Sequence, residues 1–225
     1  FYKYSFINLN YKFMKLKNLI FFFPNFSEGG IESTSMRLLN YLSKKKIKIN
    51  FISYKKPKFK NLVKKKNIKY FFKKNANSNW ILKNYFSLVS LYKILVRYKR
   101  EDTVIFALSN LQFCILCSKI LRFKVVSVNS APIDYFKYDP SLVDYIKLFI
   151  KSLIYPLSDL IISNSKNSAY KLKKKLLFKA KIISLPNPID NPNNKKSKYG
   201  SKNLLYIGRL SKEKGIYQLI KGFEI

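Results

Sequence analysis

The chain has 225 residues, 48% of them hydrophobic, and a formal charge of +34, long enough for one large domain or one and a half ordinary ones around a real core. It contains no histidine, which excludes histidine-based triads, histidine zinc ligands and histidine general bases. Its 45 basic residues are 40 Lys and 5 Arg, beside abundant Phe, Tyr, Ile and Asn; this is the profile of AT-rich codons, whereas a dedicated nucleic-acid binder favours Arg for bidentate contacts.

The first residue is Phe1, and Met14 opens Met-Lys-Leu-Lys-Asn-Leu-Ile-Phe-Phe-Phe. Residues 1–13 are therefore expected to be upstream translation, with Met14 the start. Leu16 to Pro24 is a nearly continuous apolar run, as expected of a strand buried on both faces. After a Gly29-Gly30 loop, Ile31, Leu38, Leu39 and Leu42 recur at helical spacing up to Lys44-Lys45-Lys46, cations that suit a helix C-terminus. Ile47 to Ser53 reads as a strand, Lys55 to Lys66 as a basic connection, and Ile68 to Phe72 as a third strand. Asn79 to Tyr98 reads as a helix with Leu82, Phe86, Val89, Tyr92 and Val96 along its apolar face. Thr103 to Ala107 is a strand, Asn110 to Leu121 a helix and Lys124 to Val128 another strand.

From Pro140 to Tyr155 the positions Leu142, Tyr145, Ile146, Phe149, Ile150, Leu153 and Ile154 mark an amphipathic helix, with Lys147 and Lys151 opposite. Core packing of that apolar face is the plain expectation and membrane docking the alternative. Asp159 to Asn164 is a strand, Ser165 caps a helix to Leu177, and Lys181 to Leu185 is a last short strand. Alternating strands and helices imply a Rossmann-like parallel sheet with helices on both faces over residues 14–185. The Pro/Asn-rich stretch that follows makes 186–201 a linker. Residues 202–225 then open a second α/β unit, with a strand at Asn203 to Ile207 and a helix at Gly215 to Phe223. That helix has barely begun at Ile225, so the chain is expected to be a truncated reading of a longer protein.

No run reaches the roughly 18 apolar residues of a membrane span; Val104 to Leu121 comes nearest and is broken by Ser109, Asn110, Gln112, Ser118 and Lys119. The N-terminus lacks the pattern of a signal peptide. Cys114 and Cys117 are spaced C-x-x-C but lie inside an apolar helical run, so they read as buried thiols in a reducing cytoplasm. A nucleic-acid partner is not expected, since no binding motif accompanies the charge. An anionic membrane surface fits the lysines better.

The six glycines fall in two places, Gly29-Gly30 and Gly200 to Gly222. Both sit at strand-loop-helix turns, where free backbone N–H groups and the positive helix end suit phosphate. Neither matches the dinucleotide or P-loop pattern, and a tight turn is as good an account of Gly29-Gly30. The second motif, Gly208-Arg209-Leu-Ser-Lys-Glu-Lys214-Gly215, adds two cations five apart that can clamp a diphosphate; a surface charge pair is its alternative.

The series Gly29-Gly30-Ile-Glu32, Asp159-Leu-Ile-Ile-Ser-Asn164-Ser165, Leu185-Pro-Asn-Pro188-Ile-Asp190 and Gly208-Arg209-Leu-Ser-Lys-Glu-Lys214-Gly215 resembles retaining GT-B glycosyltransferases of family 4, over roughly residues 16–224. The resemblance implies two Rossmann-like domains with the active site in the cleft between them. It implies a nucleotide-sugar donor held mainly by the C-terminal domain and a lipid-linked or polysaccharide acceptor on the N-terminal side. Arg209 and Lys214 match the pair that contacts the donor diphosphate and would stabilise charge on the leaving nucleotide. Gly208 belongs to the same loop. Gly29 and Gly30 match the loop that reaches the donor phosphates and acceptor. Glu32 matches a frequent acid there, although stabilisation of the helix's first turn accounts for it equally. Asn129 stands where many members carry a His, which leaves it an acceptor-side candidate. The resemblance implies neither metal nor cofactor, and a location in the cytoplasm, peripheral on the membrane's inner face. The family's E-x7-E segment would fall beyond Ile225, so the fragment is expected to be inactive alone. A nucleotide-sugar epimerase of the same fold, and a basic membrane- or nucleic-acid-binding protein on a vestigial fold, are the competing readings.

Overall fold

The computed structural model describes residues 16–24, 29–53, 65–72, 80–108, 111–130, 140–188, 206–208, 210 and 215–222. By internal contacts the chain divides into two compact units, Phe1–Pro188 and Ile189–Ile225.

The first unit is a seven-stranded, wholly parallel sheet. In chain order it comprises β1 (Asn18–Phe22), α1 (Gly30–Leu42), β2 (Lys48–Ser53), β3 (Ile68–Phe72), α2 (Trp80–Leu95), β4 (Thr103–Ala107), α3 (Leu111–Ile120), β5 (Lys124–Asn129), α4 (Leu142–Ile154), β6 (Leu160–Ser163), α5 (Lys166–Lys175) and β7 (Ile182–Ser184). The strand order is β3-β2-β1-β4-β5-β6-β7. Every neighbouring pair is parallel. The chain thus winds outward from β1 in one direction, returns, and winds outward from β4 in the other. That is the Rossmann-like arrangement expected from the alternating elements, with its switch point between β1 and β4.

A continuous apolar strand is stable only where both faces are covered, and all five residues of β1 are buried. On one face Ile20, Phe22, Ile105, Val125 and Ile161 meet Leu91, Leu95, Cys114, Ile115 and Leu172 from the helices. On the other, Leu19, Phe21, Ile49 and Phe51 meet Met36 and Leu39 of α1. Exact register places Phe106, Phe21, Phe51 and Tyr70 side by side across four strands. Their ring centroids lie 5.1, 6.3 and 5.6 Å apart in turn, each pair contributing about 0.5–1.5 kcal/mol beyond area burial. Polar ties hold the amino-terminal edge: Asp159 Oδ2 accepts from the Val125 N–H at 2.8 Å and from Lys119 Nζ at 2.7 Å.

Two helices present other faces than periodicity predicts. Among the described side chains of α2, Leu91, Ile94 and Leu95 are buried, while Tyr92, and Val96 just past the helix, are exposed. The larger inversion is in α4. Leu148 and Ile154 pack on the core, Ser152 and Tyr155 are buried, and Lys151 is half-buried. The stripe from Leu142 through Phe149 to Leu153 faces outward instead, with Leu142 77% and Phe149 59% exposed. The helix has a second contact stripe at positions 148, 152 and 155, and the small Ser152 lets it approach the neighbouring chain closely. There the Ser152 carbonyl accepts from the Leu177 N–H at 3.2 Å. Core packing of the main apolar face is thereby overturned.

In the second unit the described structure is α6 (Ile216–Lys221), entered through Gly215 at φ 70°, a left-handed conformation that favours glycine. Tyr206 and Ile207 are not in a strand; residues 203–205 of the predicted strand lie outside the described residues.

Candidate functional site

In an open parallel sheet the carboxyl ends of the strands line a crevice, deepest at the switch point. Here that edge carries the loop after β1, the end of β5 and the end of β6. Gly29 is the N-cap of α1 in extended conformation, and Gly30 is its first helical residue. Such a helix start presents backbone N–H groups and a partial positive charge. A Cβ added at Gly30 would meet nothing within 4 Å, whereas one at Gly29 would stand 2.7 Å from Glu32 Oε2. The Glu32 side chain therefore folds back toward Gly29, and the residue is only 7% exposed. Glu32 thus lies buried in the first turn of α1, beside the N-cap.

Asn129 is the last residue of β5 and is 6% exposed; its register partner in β6 is Ser163, fully buried. Strand alternation puts both on the face of the sheet that carries Val125 and Ile161. Among the described residues Asn129 Nδ2, Ser163 Oγ and Ser168 Oγ are buried without a hydrogen-bond partner. Buried polar atoms normally find partners, because an unpaired one costs about 1–3 kcal/mol. Asn129 and Ser163 stand side by side at adjacent strand ends on the carboxyl edge of the sheet. Beyond them Asn164 Nδ2 donates to the Ser130 carbonyl at 3.2 Å, and Ser165 caps α5 by accepting from the Ser168 N–H at 3.1 Å. Asp159, from the same motif, instead serves the opposite edge of the sheet.

Sequence reasoning singled out Asn129 but not Ser163. Its signal was a polar residue at the core-facing end of a strand, at the position that Asn129 occupies one strand over. Gly208 is exposed, with Tyr206 beside it: an added Cβ would stand 2.8 Å from the Tyr206 hydroxyl oxygen. Arg209 and Lys214 lie outside the described residues. Cys114 is buried and Cys117 partly so, both as free thiols, and burial pushes the pKa of each up. A redox C-x-x-C lowers a thiol instead, so the buried-thiol reading holds.

No protein-family model and no curated protein matches the chain. Solved structures do. The chain is similar to Anabaena HepE in complex with UDP and glucose, at 15% identity and a TM-score of 0.52, covering 78% of this chain and 45% of HepE. It is similar to the sucrose-phosphate synthase of Thermosynechococcus elongatus, at 10% identity and a TM-score of 0.59, covering 76% and 48%. It is also similar to Phytolacca americana UGT2 complexed with UDP-2fluoro-glucose and pterostilbene, at 10% identity and a TM-score of 0.55, covering 79% and 55%. These likenesses show the fold: a Rossmann-like parallel α/β unit shared with one half of each of these structures. The chain spans about half the length of each of these neighbours.

Proposed function

We propose that the chain is part of a glycosyltransferase that moves a sugar from a nucleotide-sugar donor to a lipid-linked or polysaccharide acceptor. The observation that carries this reading is the carboxyl edge of the sheet. A helix start with open space at Gly30 shares that edge with unpartnered Asn129 Nδ2 and Ser163 Oγ. The former suits phosphate oxygens, and the latter pair suits sugar hydroxyls, which both donate and accept. The complexes of similar structures with UDP, UDP-glucose and UDP-2fluoro-glucose support the same donor class.

In this reading residues 14–185 form the acceptor-side domain, 186–201 link, and 202–225 open the donor domain. Arg209 and Lys214 clamp the donor diphosphate and neutralise the charge that develops as the nucleotide leaves. The cations do this work without a metal. The acceptor hydroxyl attacks from the face that the nucleotide leaves, so configuration is retained, as in family 4. The acceptor lies at the cytoplasmic face of a membrane.

The test is turnover of nucleotide-sugars by the complete reading frame. Arg209→Ala and Lys214→Ala should each lower kcat/KM by about 10- to 150-fold, the equivalent of about 1.5–3 kcal/mol for a charge-assisted contact. Unchanged kinetics would remove the diphosphate role. A downstream frame without glutamates spaced E-x7-E would remove the family 4 assignment.

A further inference from the structure

Asn129 and Ser163 have a further neighbour of their kind. Ser168, in the first turn of α5, also keeps its hydroxyl oxygen buried with no hydrogen-bond partner among the described residues. Ser163 lies two residues before Ser165, the cap of α5. Strand alternation puts Ser163 on the face of β6 that carries Ile161, and Ile161 shares one core cluster with Leu172 of α5. Ser168 stands about one helical turn before Leu172, so it lies on the same sheet-facing side of α5. The strand ends and the helix start thereby bring their unpaired groups to one layer, between the carboxyl edge of the sheet and α5. Ser184 of β7 continues the row, standing beside Ser163 in register as Asn129 does on the other side. Buried polar groups left open by their own chain are where proteins hold a water or an ion.

The helix supplies more donors and a charge. Ser165 accepts from the Ser168 N–H through its side chain at 3.1 Å and from the Ala169 N–H through its carbonyl at 2.9 Å. The N–H groups of Lys166 and Asn167 come before the first bond inside the helix and have no partner within it. Both residues are exposed, which opens the layer to solvent at the carboxyl edge. The 10 residues of α5 add the partial positive charge of a helix N-terminus. No acidic residue occurs from Leu160 to Ile189, and Asp159 is held at the opposite edge by the Val125 N–H and Lys119. The constellation is therefore rich in donors, with no carboxylate to compete for them. A sugar hydroxyl would satisfy the Asn129–Ser163 pair alone. Asn129 Nδ2, the hydroxyls of Ser163 and Ser168 and the N–H groups of Lys166 and Asn167 together ask for more acceptor oxygens than one hydroxyl offers. A phosphate group supplies them, more than a planar carboxylate does, and carries the complementary charge.

We propose that Asn129, Ser163, Ser168 and the start of α5 form a subsite for a phosphate group carried by the acceptor. The assignment to the acceptor rests on the glycosyltransferase reading, in which Arg209 and Lys214 hold the donor diphosphate; phosphate binding itself is measurable without turnover. The test follows the backbone amide resonances of the 225-residue chain as inorganic phosphate is added at constant ionic strength. Lys166 and Asn167 should shift and saturate at lower phosphate than Lys173, Lys174 and Lys175, an exposed run that reports the unspecific attraction of a basic surface. Acetate should bind about tenfold or more weakly than phosphate. Ser163→Ala and Ser168→Ala should each weaken phosphate by about tenfold or more with an unchanged circular dichroism spectrum. Shifts at Lys166 and Asn167 that merely track those of the lysine run would overturn the subsite, as an adventitious ion only. Unchanged phosphate affinity in both variants would also overturn it and leave the hydroxyls to an internal water. Acetate binding as tight as phosphate would do the same for the phosphate assignment. In the complete reading frame a phosphorylated acceptor should have a lower KM than its dephosphorylated form, and Ser163→Ala should erase the difference. Equal KM for the two forms would overturn the subsite and leave the glycosyltransferase reading standing. Phosphate bound at Lys166 and Asn167 without any turnover of nucleotide-sugars would sink that reading and keep the anion site.

Discussion

The carboxylate of Glu32 occupies the space that a side chain at Gly29 would need, 2.7 Å from an ideal Cβ, while the neighbouring Gly30 has open space around it. Gly29→Ala must displace a buried carboxylate from the first turn of α1 and should cost about 1 kcal/mol. Gly30→Ala meets no obstacle. It gains helix propensity and restricts the unfolded chain, so it should stabilise by about 0.4–1 kcal/mol. Thermal melts of the two variants should therefore move in opposite directions. Equal destabilisation would show that Gly30 is constrained by something other than a ligand.

Asn129 Nδ2 and Ser163 Oγ give the stability measurement an unusual sign. Removing a buried hydroxyl normally costs a hydrogen bond, but Ser163 Oγ has none to lose among the described residues. Ser163→Ala should be neutral or stabilising by up to about 1 kcal/mol, because a desolvated polar group is removed without a partner being orphaned. If the proposed glycosyltransferase reading holds, the same change should weaken acceptor use, the expected trade at a functional site. A clear loss of stability in Ser163→Ala would mean that the hydroxyl has a structural partner, and would withdraw it from the site.

Lys151 tests the inverted seating of α4. Burial, then repulsion from Lys147, lowers its pKa in the folded chain. A lysine with a lowered folded pKa destabilises wherever both states are protonated, and the penalty fades as pH rises from the folded toward the unfolded pKa. Lys151→Met should therefore raise the melting temperature at neutral pH, with the advantage shrinking as pH approaches 10.5, the ordinary lysine value. No effect at pH 7 would show Lys151 to be fully solvated, as the sequence pattern alone would have it.

The contrast between strands and helices explains what the sequence could disclose. All seven strands of the sheet are legible because each is a short apolar run closed by turn or charged residues, and in β1 burial on both faces leaves no orientation to choose. Helix faces depend on a difference between sides. In α4 apolar residues occur on both sides, at Leu148 and Tyr155 as well as at Ile146 and Phe149, and periodicity selected the more apolar side. Packing selected the side where Ser152 allows close approach to Leu177. Asn129 was found from its place in a family pattern, whereas Ser163 became visible only when register set it beside Asn129. The Arg209–Lys214 pair remains a reading of the motif.

Cys114 and Cys117 supply the last prediction. Burial drives the Cys114 pKa far above that of a free thiol, and Cys117 is raised by the same cause. Thiolate is the reactive form, so maleimide at neutral pH should modify Cys117 slowly and Cys114 only as the domain unfolds. Cys114 sits in the core beside Leu111 and Ile115, with Ser118 Oγ at 3.9 Å from its sulfur. That Ser118 hydroxyl already donates to the Cys114 carbonyl at 2.6 Å. Cys114→Ala leaves a small void and should cost about 1–2 kcal/mol. Cys114→Ser has nearly the shape of the thiol but buries a stronger polar group among apolar neighbours, and should cost more, toward about 3 kcal/mol. The ordering of the two melts is the measurement. If serine proved the milder change, the space around Cys114 would be polar rather than core, and the C-x-x-C pair would again be open to a chemical role.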